Sequence, residues 1–186
     1  MDANENAAML ARSVVEETDT LVRLHKGQDY PGGILPRQGG EQERKVRIGA
    51  SSAVHGSVVG GEVTIDDAEN ITLSSGIQAP GTEIQGSVNS IGNITIGRGI
   101  WIQGGVIAQG DVEISSEVID GEEPGHVLIE GAVAGRNVTI GEGVVILGPV
   151  IATEKCTIGK NSTIRDIVDA NKLTVEDGVL LGGLHV

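Results

Sequence analysis

The sequence predicts an all-β protein, a single-stranded triangular β-helix (a solenoid) in which very short strands stack on one another. Three observations predict this fold. Residues 93–114 and 137–158 match at 11 of 22 positions when they are aligned without gaps. Triplets of the form apolar–x–apolar recur along the chain, and each is followed by a turn rich in Gly. Every third triplet ends in a small residue, namely Gly60, Ala79, Ser90, Ala108, Gly135, Ala152 and Ala170.

Alternation within a triplet such as Val138-Thr-Ile140 is typical of a strand whose first and third residues point inward. A strand of three residues is not stable alone. Each strand must therefore pair with the equivalent strand of the neighbouring turn. The recurring small residue sets three strands per turn, in coils of 17 or 18 residues. From residue 46 to residue 186 the pattern predicts eight coils, of which the third lacks one strand. Residues 115–126 are expected to bulge from the fifth coil as a loop.

The predicted core consists of the inward residues of these triplets. We expect the following residues to be buried: Ile96, Ile102, Ile140, Ile146 and Ile158. Middle residues point outward, and Thr95, Thr139 and Thr157 are expected on one solvated wall. The pattern leaves the handedness open, because left- and right-handed β-helices both use coils of this length.

Residues 1–45 precede the repeat and are predicted to be a tail on the β-helix domain of residues 46–186. Apolar residues at helical spacing within residues 7–24 predict a short amphipathic helix. Residues 26–44, which are rich in Gly and polar residues, are expected to be a flexible linker.

Composition and charge exclude several classes of protein. The net charge is -13, with 26 acidic residues against 13 basic ones, so phosphate repels the chain and nucleic acid is excluded as a partner. Phe is absent and Trp and Tyr occur once each, so branched aliphatic residues must fill the core. No apolar stretch approaches a membrane span, and the acidic N-terminus does not resemble a signal peptide. We expect a cytoplasmic protein, with association at the inner face of the cell envelope left open.

Few residues suggest metal or thiol chemistry. The single Cys156 occupies a repeated apolar position, and it is interpreted as a small buried residue. His25, His55, His126 and His185 are too dispersed for a shared metal site. The carboxylates of Asp66, Asp67 and Glu69 fall in one turn, where solvated surface charge is the simpler interpretation and bound Ca²⁺ the alternative. No cofactor is expected.

Two blocks, VIATEKCTIG at residues 150–159 and VDANKLTVEDGVLLGG at residues 168–183, resemble the bactofilins, which are polymer-forming cytoskeletal proteins. The resemblance covers residues 46–186. It implies a right-handed triangular β-helix that polymerises end to end into non-polar filaments without nucleotide, supporting cell shape or positioning other proteins. The acidity and the few Lys residues resemble an archaeal, halophile-type (halofilin-like) member. Leu181 stands where bacterial members usually carry Phe, so an aliphatic end contact is expected.

Two surfaces are expected to mediate assembly. The first is the C-terminal end of the β-helix, where another copy of the chain would stack on Val179, Leu181, Leu184 and Val186. The second is a patch of outward apolar residues on two walls, formed by Trp101, Leu128 and Val145 and by Ile107, Ala134 and Ile151. Three occupants of the patch are expected as alternatives: the N-terminal tail, a second filament, or a partner protein such as a membrane-associated one.

The rival hypothesis is an enzyme, a hexapeptide-repeat acyltransferase with a left-handed β-helix. The sequence IGKNST at residues 158–163 has the spacing of such repeats, and His126 closes the predicted loop much as a catalytic His does in those enzymes. No carboxylate at fixed spacing accompanies His126 to orient it as a base. We therefore interpret His126 as a solvated loop residue and expect a non-enzymatic scaffold.

Overall fold

A computed structural model describes residues 15–18, 20–35, 44–69, 71–72, 78–79, 81–115 and 126–185. Over these residues the regular structure consists of β-strands, and no helix occurs among them. One sheet contains 19 strands and is almost entirely parallel, and a separate pair of strands forms a small antiparallel sheet. The chain is therefore all-β, as predicted.

The parallel pairs form three ladders, here called A, B and C. A level consists of one strand from each ladder at the same position along the stack. Ladder A contains β2 (Leu21–Leu24), β4 (Lys45–Ile48), β7 (Glu62–Ile65), β12 (Ile94–Ile96), β15 (Val112–Ile114), the ends of β17 (Val133–Ile140) and β19 (Val150–Ile158), and residues 173–175 of β20 (Thr163–Val175). Ladder B contains β3 (Asp29–Tyr30), β5 (Ala53–Val54), β10 (Thr82–Ile84), β13 (Ile100–Ile102), β16 (Leu128–Ile129), β18 (Val145–Ile146), and the first residues of β20 and of β21 (Leu180–His185). Ladder C contains Ile34, β6 (Val58–Gly60), β11 (Val88–Ser90), β14 (Val106–Ala108), the starts of β17 and β19, the middle of β20, and the end of β21.

The chain passes from ladder A to B to C and returns to A one level further on, so each ladder has eight levels. This long, mostly parallel arrangement fits a β-helix.

Level 1 lies in the part of the chain for which a helix and a linker were expected. Residues Leu21–Leu24 form a strand that pairs in parallel with Lys45–Ile48, so the predicted helix is wrong over its described part, and residues 7–14 lie outside the described residues. Asp29–Tyr30 pairs with Ala53–Val54, and Ile34 bridges to Val58 and is 4% exposed, so this part of the expected linker joins the ladders. Residues 36–43 of the expected linker lie outside the described residues. The buried, alternating Val22 and Leu24 signal this strand, but their spacing also fits a helix in so short a segment.

The strands predicted at residues 71–73 and 77–79 in the second coil do not join the ladders over their described residues. The ladders therefore have seven levels from residue 45 onward, where eight coils were predicted, and the remaining level comes from residues 21–34. In ladder A, Val63 pairs directly with Ile94, and the ladder strands described between them in sequence are one of ladder B, Thr82–Ile84, and one of ladder C, Val88–Ser90. Instead β8 (Ile71–Thr72) and β9 (Gln78–Ala79) pair antiparallel in the small second sheet. Ala79 is therefore not part of the series of small residues. The triplet pattern predicts which residues point inward and which point outward, but it does not predict which strand each triplet pairs with.

The interior of the ladders contains the predicted core. All of these residues are at most 1% exposed: Ile96, Ile102, Ile140, Ile146 and Ile158. Thr139 is exposed and Thr95 and Thr157 are half-buried on the outer face of ladder A. The small residues of ladder C lie beside ladder A, where a Cβ on Gly60 would come within 2.7 Å of Cγ2 of Val46. The interior is thus too narrow at this corner for a larger residue.

Buried hydroxyl groups at the turns have hydrogen-bond partners. Ser162 Oγ donates to the carbonyl oxygen of Gly141 at 2.8 Å, and it accepts from the backbone N–H of Val144 at 3.2 Å. Ser90 Oγ donates to the carbonyl oxygen of Gly61 at 2.8 Å. These bonds join one level to the next, which makes burial of the hydroxyls tolerable.

Candidate assembly surfaces

The C-terminal end of the ladders exposes residues that would be buried anywhere else in the core. Val175 is 42% exposed, although its ladder neighbour Ile158 is 0% exposed. Leu184 is 56% exposed, although its neighbour Val168 is 0% exposed. Level 8 therefore covers level 7, and among the described residues none covers level 8.

The backbone of level 8 is an unprotected strand edge. The last strand, β21, pairs with β20 through Leu180↔Thr163 and Leu184↔Val168, and no other described strand pairs with it. Its sequence, LLGGLH, contains neither Lys nor Pro, the residues with which proteins usually block exposed edges. Val179 and Leu181 are half-buried beside the core, and Val186 lies outside the described residues. The predicted end surface is thus an apolar face with unpaired backbone groups.

The N-terminal end differs from the C-terminal end. The inward residues of level 1 on ladders A and C are buried, with Val22 at 7%, Leu24 at 0% and Ile34 at 4% exposure, whereas Tyr30 on ladder B is half-buried. Strand β1 (Val15–Glu17) lies antiparallel against β2 and occupies the outer edge of ladder A. This strand was not predicted, because the apolar residues around it also fit the helical spacing expected for residues 7–24.

The outward apolar patch is assembled by the ladder registers. Trp101 pairs with Leu128 and Leu128 with Val145, so the three side chains stack on consecutive levels of ladder B. The Nε1 group of Trp101 donates a hydrogen bond to Glu130 Oε1 at 2.9 Å. All three residues are half-buried.

On ladder C the same levels bring Ile107, Ala134 and Ile151 together. Ile107 is 48% exposed and Ile151 is 42% exposed, on either side of the small Ala134. Ladders B and C thus carry apolar outer faces on the same three levels, which gives one candidate contact surface around their shared corner.

The outer face of ladder A is polar and holds ion pairs between levels. Lys45 Nζ lies 2.7 Å from Glu62 Oε2, and Arg136 Nε lies 3.0 Å from Asp111 Oδ1. Hydrogen bonds from Arg136 and Asn137 hold the pKa of the Asp111 carboxyl below its ordinary value. This solvated face is a poor candidate for assembly because any contact would have to remove water from these charges.

Two carboxylates of the turn at residues 66–69, those of Asp66 and Asp67, accept hydrogen bonds from arginine residues. Asp66 accepts hydrogen bonds on both oxygens from Arg47 Nε at 2.9 and 3.0 Å. Asp67 Oδ1 accepts from the backbone N–H of Arg98 at 2.8 Å. Among the described residues, no group of three or more His, Cys, Asp or Glu side chains is placed to hold a metal ion.

The two residues considered for reactivity lie apart from each other. His126 is exposed and directly precedes the buried Val127 of ladder B, and within the described ranges no carboxylate pairs with it. Cys156 is 0% exposed in ladder A, and burial raises the pKa of its thiol to about 11. Neither arrangement provides an activated nucleophile or base.

The described part of the chain has no helix that is long and apolar enough to cross a membrane. Comparisons with known protein families, with curated proteins and with solved structures find no match.

Proposed function

We propose that this chain is the subunit of a homopolymeric, bactofilin-like cytoskeletal scaffold. In this proposal the three ladders are the walls of a right-handed triangular β-helix of eight coils. The rods stack end to end into filaments in the cytoplasm, without nucleotide, cofactor or catalysis, and they support cell shape or position other proteins. The eight levels in three parallel ladders support the rod, and the resemblance at residues 150–159 and 168–183 supports the family.

The exposure of Val175 and Leu184 at level 8, which no described residue covers, is the observation that carries the proposal. Repeats in a solenoid contact only their neighbours, so a last repeat without a cap exposes both apolar interior and unpaired backbone. A second copy presents the same level 8, and stacking would cover Val175 and Leu184 on both chains. Covering the exposed half of each such side chain would contribute roughly 1 kcal/mol per residue. Backbone hydrogen bonds between the two β21 strands would fix the relative direction and register of the two chains.

The apolar patch on ladders B and C is proposed as a lateral contact between filaments. In a stack of rods it would recur on average once per eight levels, about 38 Å at the usual strand spacing. A patch of so few residues binds weakly by itself. Repeated along two filaments, such contacts act together because each one raises the effective concentration of the next.

The decisive test replaces the apolar end by charge. The double variant Leu181→Glu with Leu184→Glu should remain folded, because both residues are already partly exposed, yet it should not form filaments. The introduced carboxylates would be buried and unpaired at each C-terminal junction. Electron microscopy and light scattering measure the assembly, and circular dichroism checks the fold.

Leu180→Glu is the matched control. It adds one carboxylate to the same strand, but Leu180 is 66% exposed and pairs with the outward Thr163. This control should polymerise as the parent chain does. Filaments of normal length from the double variant would show that level 8 is not the interface.

A further inference from the structure

Strand β1 is the only described strand of the large sheet that runs antiparallel to its neighbour. It lies on the free side of β2, with Val15 opposite Leu24 and Glu17 opposite Val22. That side is the edge through which ladder A would otherwise continue beyond level 1. The N-terminal edge of ladder A is thus already occupied by the chain itself.

A tight turn and a set of ion pairs hold β1 in place. The backbone N–H of Thr18 donates to the carbonyl oxygen of Leu21 at 2.8 Å, and Leu21 N–H donates to Thr18 Oγ1 at 3.0 Å. Glu16 lies 4.0 Å from Arg23 Nη1 and 3.9 Å from His25 Nε2. Glu17 pairs with Arg44, which directly precedes the second level of ladder A.

These contacts suit a segment that can detach. Only three residues of β1 pair with β2, and β1 pairs with no other described strand, so few backbone hydrogen bonds hold it in place. The ion pairs of Glu16 are long and solvent-exposed, with 51% of the Glu16 side chain accessible, so dissolved salt weakens them.

The two ends of the ladders therefore differ in a way that bears on growth. At level 1 the inward residues of ladders A and C are at most 7% exposed and Tyr30 of ladder B is half-buried, whereas at level 8 Val175 and Leu184 are 42% and 56% exposed. A contact between two C-terminal ends is made by the same surface on both chains, so it closes on itself after one pairing. Extension of the polymer requires the N-terminal ends as well.

We propose that β1 is a strap that closes the N-terminal end against stacking. With the strap in place, assembly stops at two chains joined through level 8, and longer polymers form only when β1 leaves the edge of ladder A. The inference rests on the proposed function, since it specifies how that assembly is regulated. The incoming partner at the released edge is a second copy of this chain.

A reversible cross-link tests the strap. Glu16 and Arg23 are direct partners in the antiparallel register. Such partners have Cα atoms about 4.5–5.5 Å apart, which lies within the range that a disulfide spans. In the variant Glu16→Cys with Arg23→Cys, oxidation should lock the strap and reduction should release it. The native Cys156 is buried and does not compete for the new thiols.

The expected result is a switch in mass measured by light scattering after size exclusion. The oxidised variant should stop at pairs, and reduction should raise the mean mass several-fold and produce filaments in electron micrographs. Thr139→Cys with Thr157→Cys is the control, because these outward neighbours lie on levels 6 and 7 of ladder A, away from the N-terminal strap. Its assembly should not respond to the redox state.

A second variant opens the strap without a cross-link. Glu17→Lys places a positive charge beside Arg44 and should lengthen the polymers at low salt, whereas Glu62→Lys, which loses its pair with Lys45 on the same ladder, should not. Equally long filaments from the oxidised and reduced cysteine variants would overturn the strap while leaving end-to-end assembly standing. Single chains in both redox states would instead overturn the proposed function.

Discussion

Removing an aliphatic side chain should cost very different amounts of stability at the middle and at the end of the ladders. Ile140 is 1% exposed and lies between levels on both sides, so Ile140→Ala should lower the free energy of unfolding by about 2–5 kcal/mol. Leu184 is an inward residue too, but it is 56% exposed. Less than half of the Leu184 side chain is buried in a single chain, so Leu184→Ala should lower the free energy of unfolding there by about 1 kcal/mol.

The assay is equilibrium unfolding in urea, followed by circular dichroism at two protein concentrations. In dilute solution, where chains are single, the two variants should differ by the amount just given. At a concentration at which chains stack, the cost of Leu184→Ala should rise towards that of a buried residue, because the second copy covers level 8 and association stabilises the folded state. The cost of Ile140→Ala should not change with concentration.

Two results would refute this reasoning. If Leu184→Ala costs as much as Ile140→Ala in dilute solution, level 8 is already covered within the single chain. If the cost of Leu184→Ala stays near 1 kcal/mol at every concentration while the parent chain polymerises, the polymer contact lies elsewhere.

Two further predictions follow from ionisable groups. The pKa of Asp111 is held below its ordinary 3.8 by hydrogen bonds from Arg136 and Asn137. Its stabilisation is thus present above pH 3.8 and lost as the pH falls through the lower folded-state pKa, so Asp111→Asn should flatten the acid limb of a plot of unfolding free energy against pH. Burial raises the pKa of the Cys156 thiol to about 11. At neutral pH this thiol should therefore react with a disulfide reagent only as fast as the strands around it unfold locally and expose it. A reaction as fast as that of a small free thiol would place Cys156 at the surface.

The sequence by itself determined which residues face the interior and which face outward. Ile102 and Ile146 are buried and Thr139 is exposed as their positions in the triplets predict, because alternation along a strand is a local property. The stacking of Trp101, Leu128 and Val145 was likewise readable, since equal spacing in the repeat places equivalent residues on neighbouring levels.

Only the tertiary structure decided which segments pair. Ile71–Thr72 and Val63–Thr64 have similar local patterns, yet the first joins a separate antiparallel pair and the second joins ladder A. Leu21–Leu24 could satisfy a helical or a strand pattern, and the free edge of Lys45–Ile48 selects the strand. Strand partners lie far apart in sequence, so a local pattern does not identify them. The pairing of β1 with β2 and the exposure of Leu184 depend on which strand edges are paired and which are not, and only the tertiary structure gives that information.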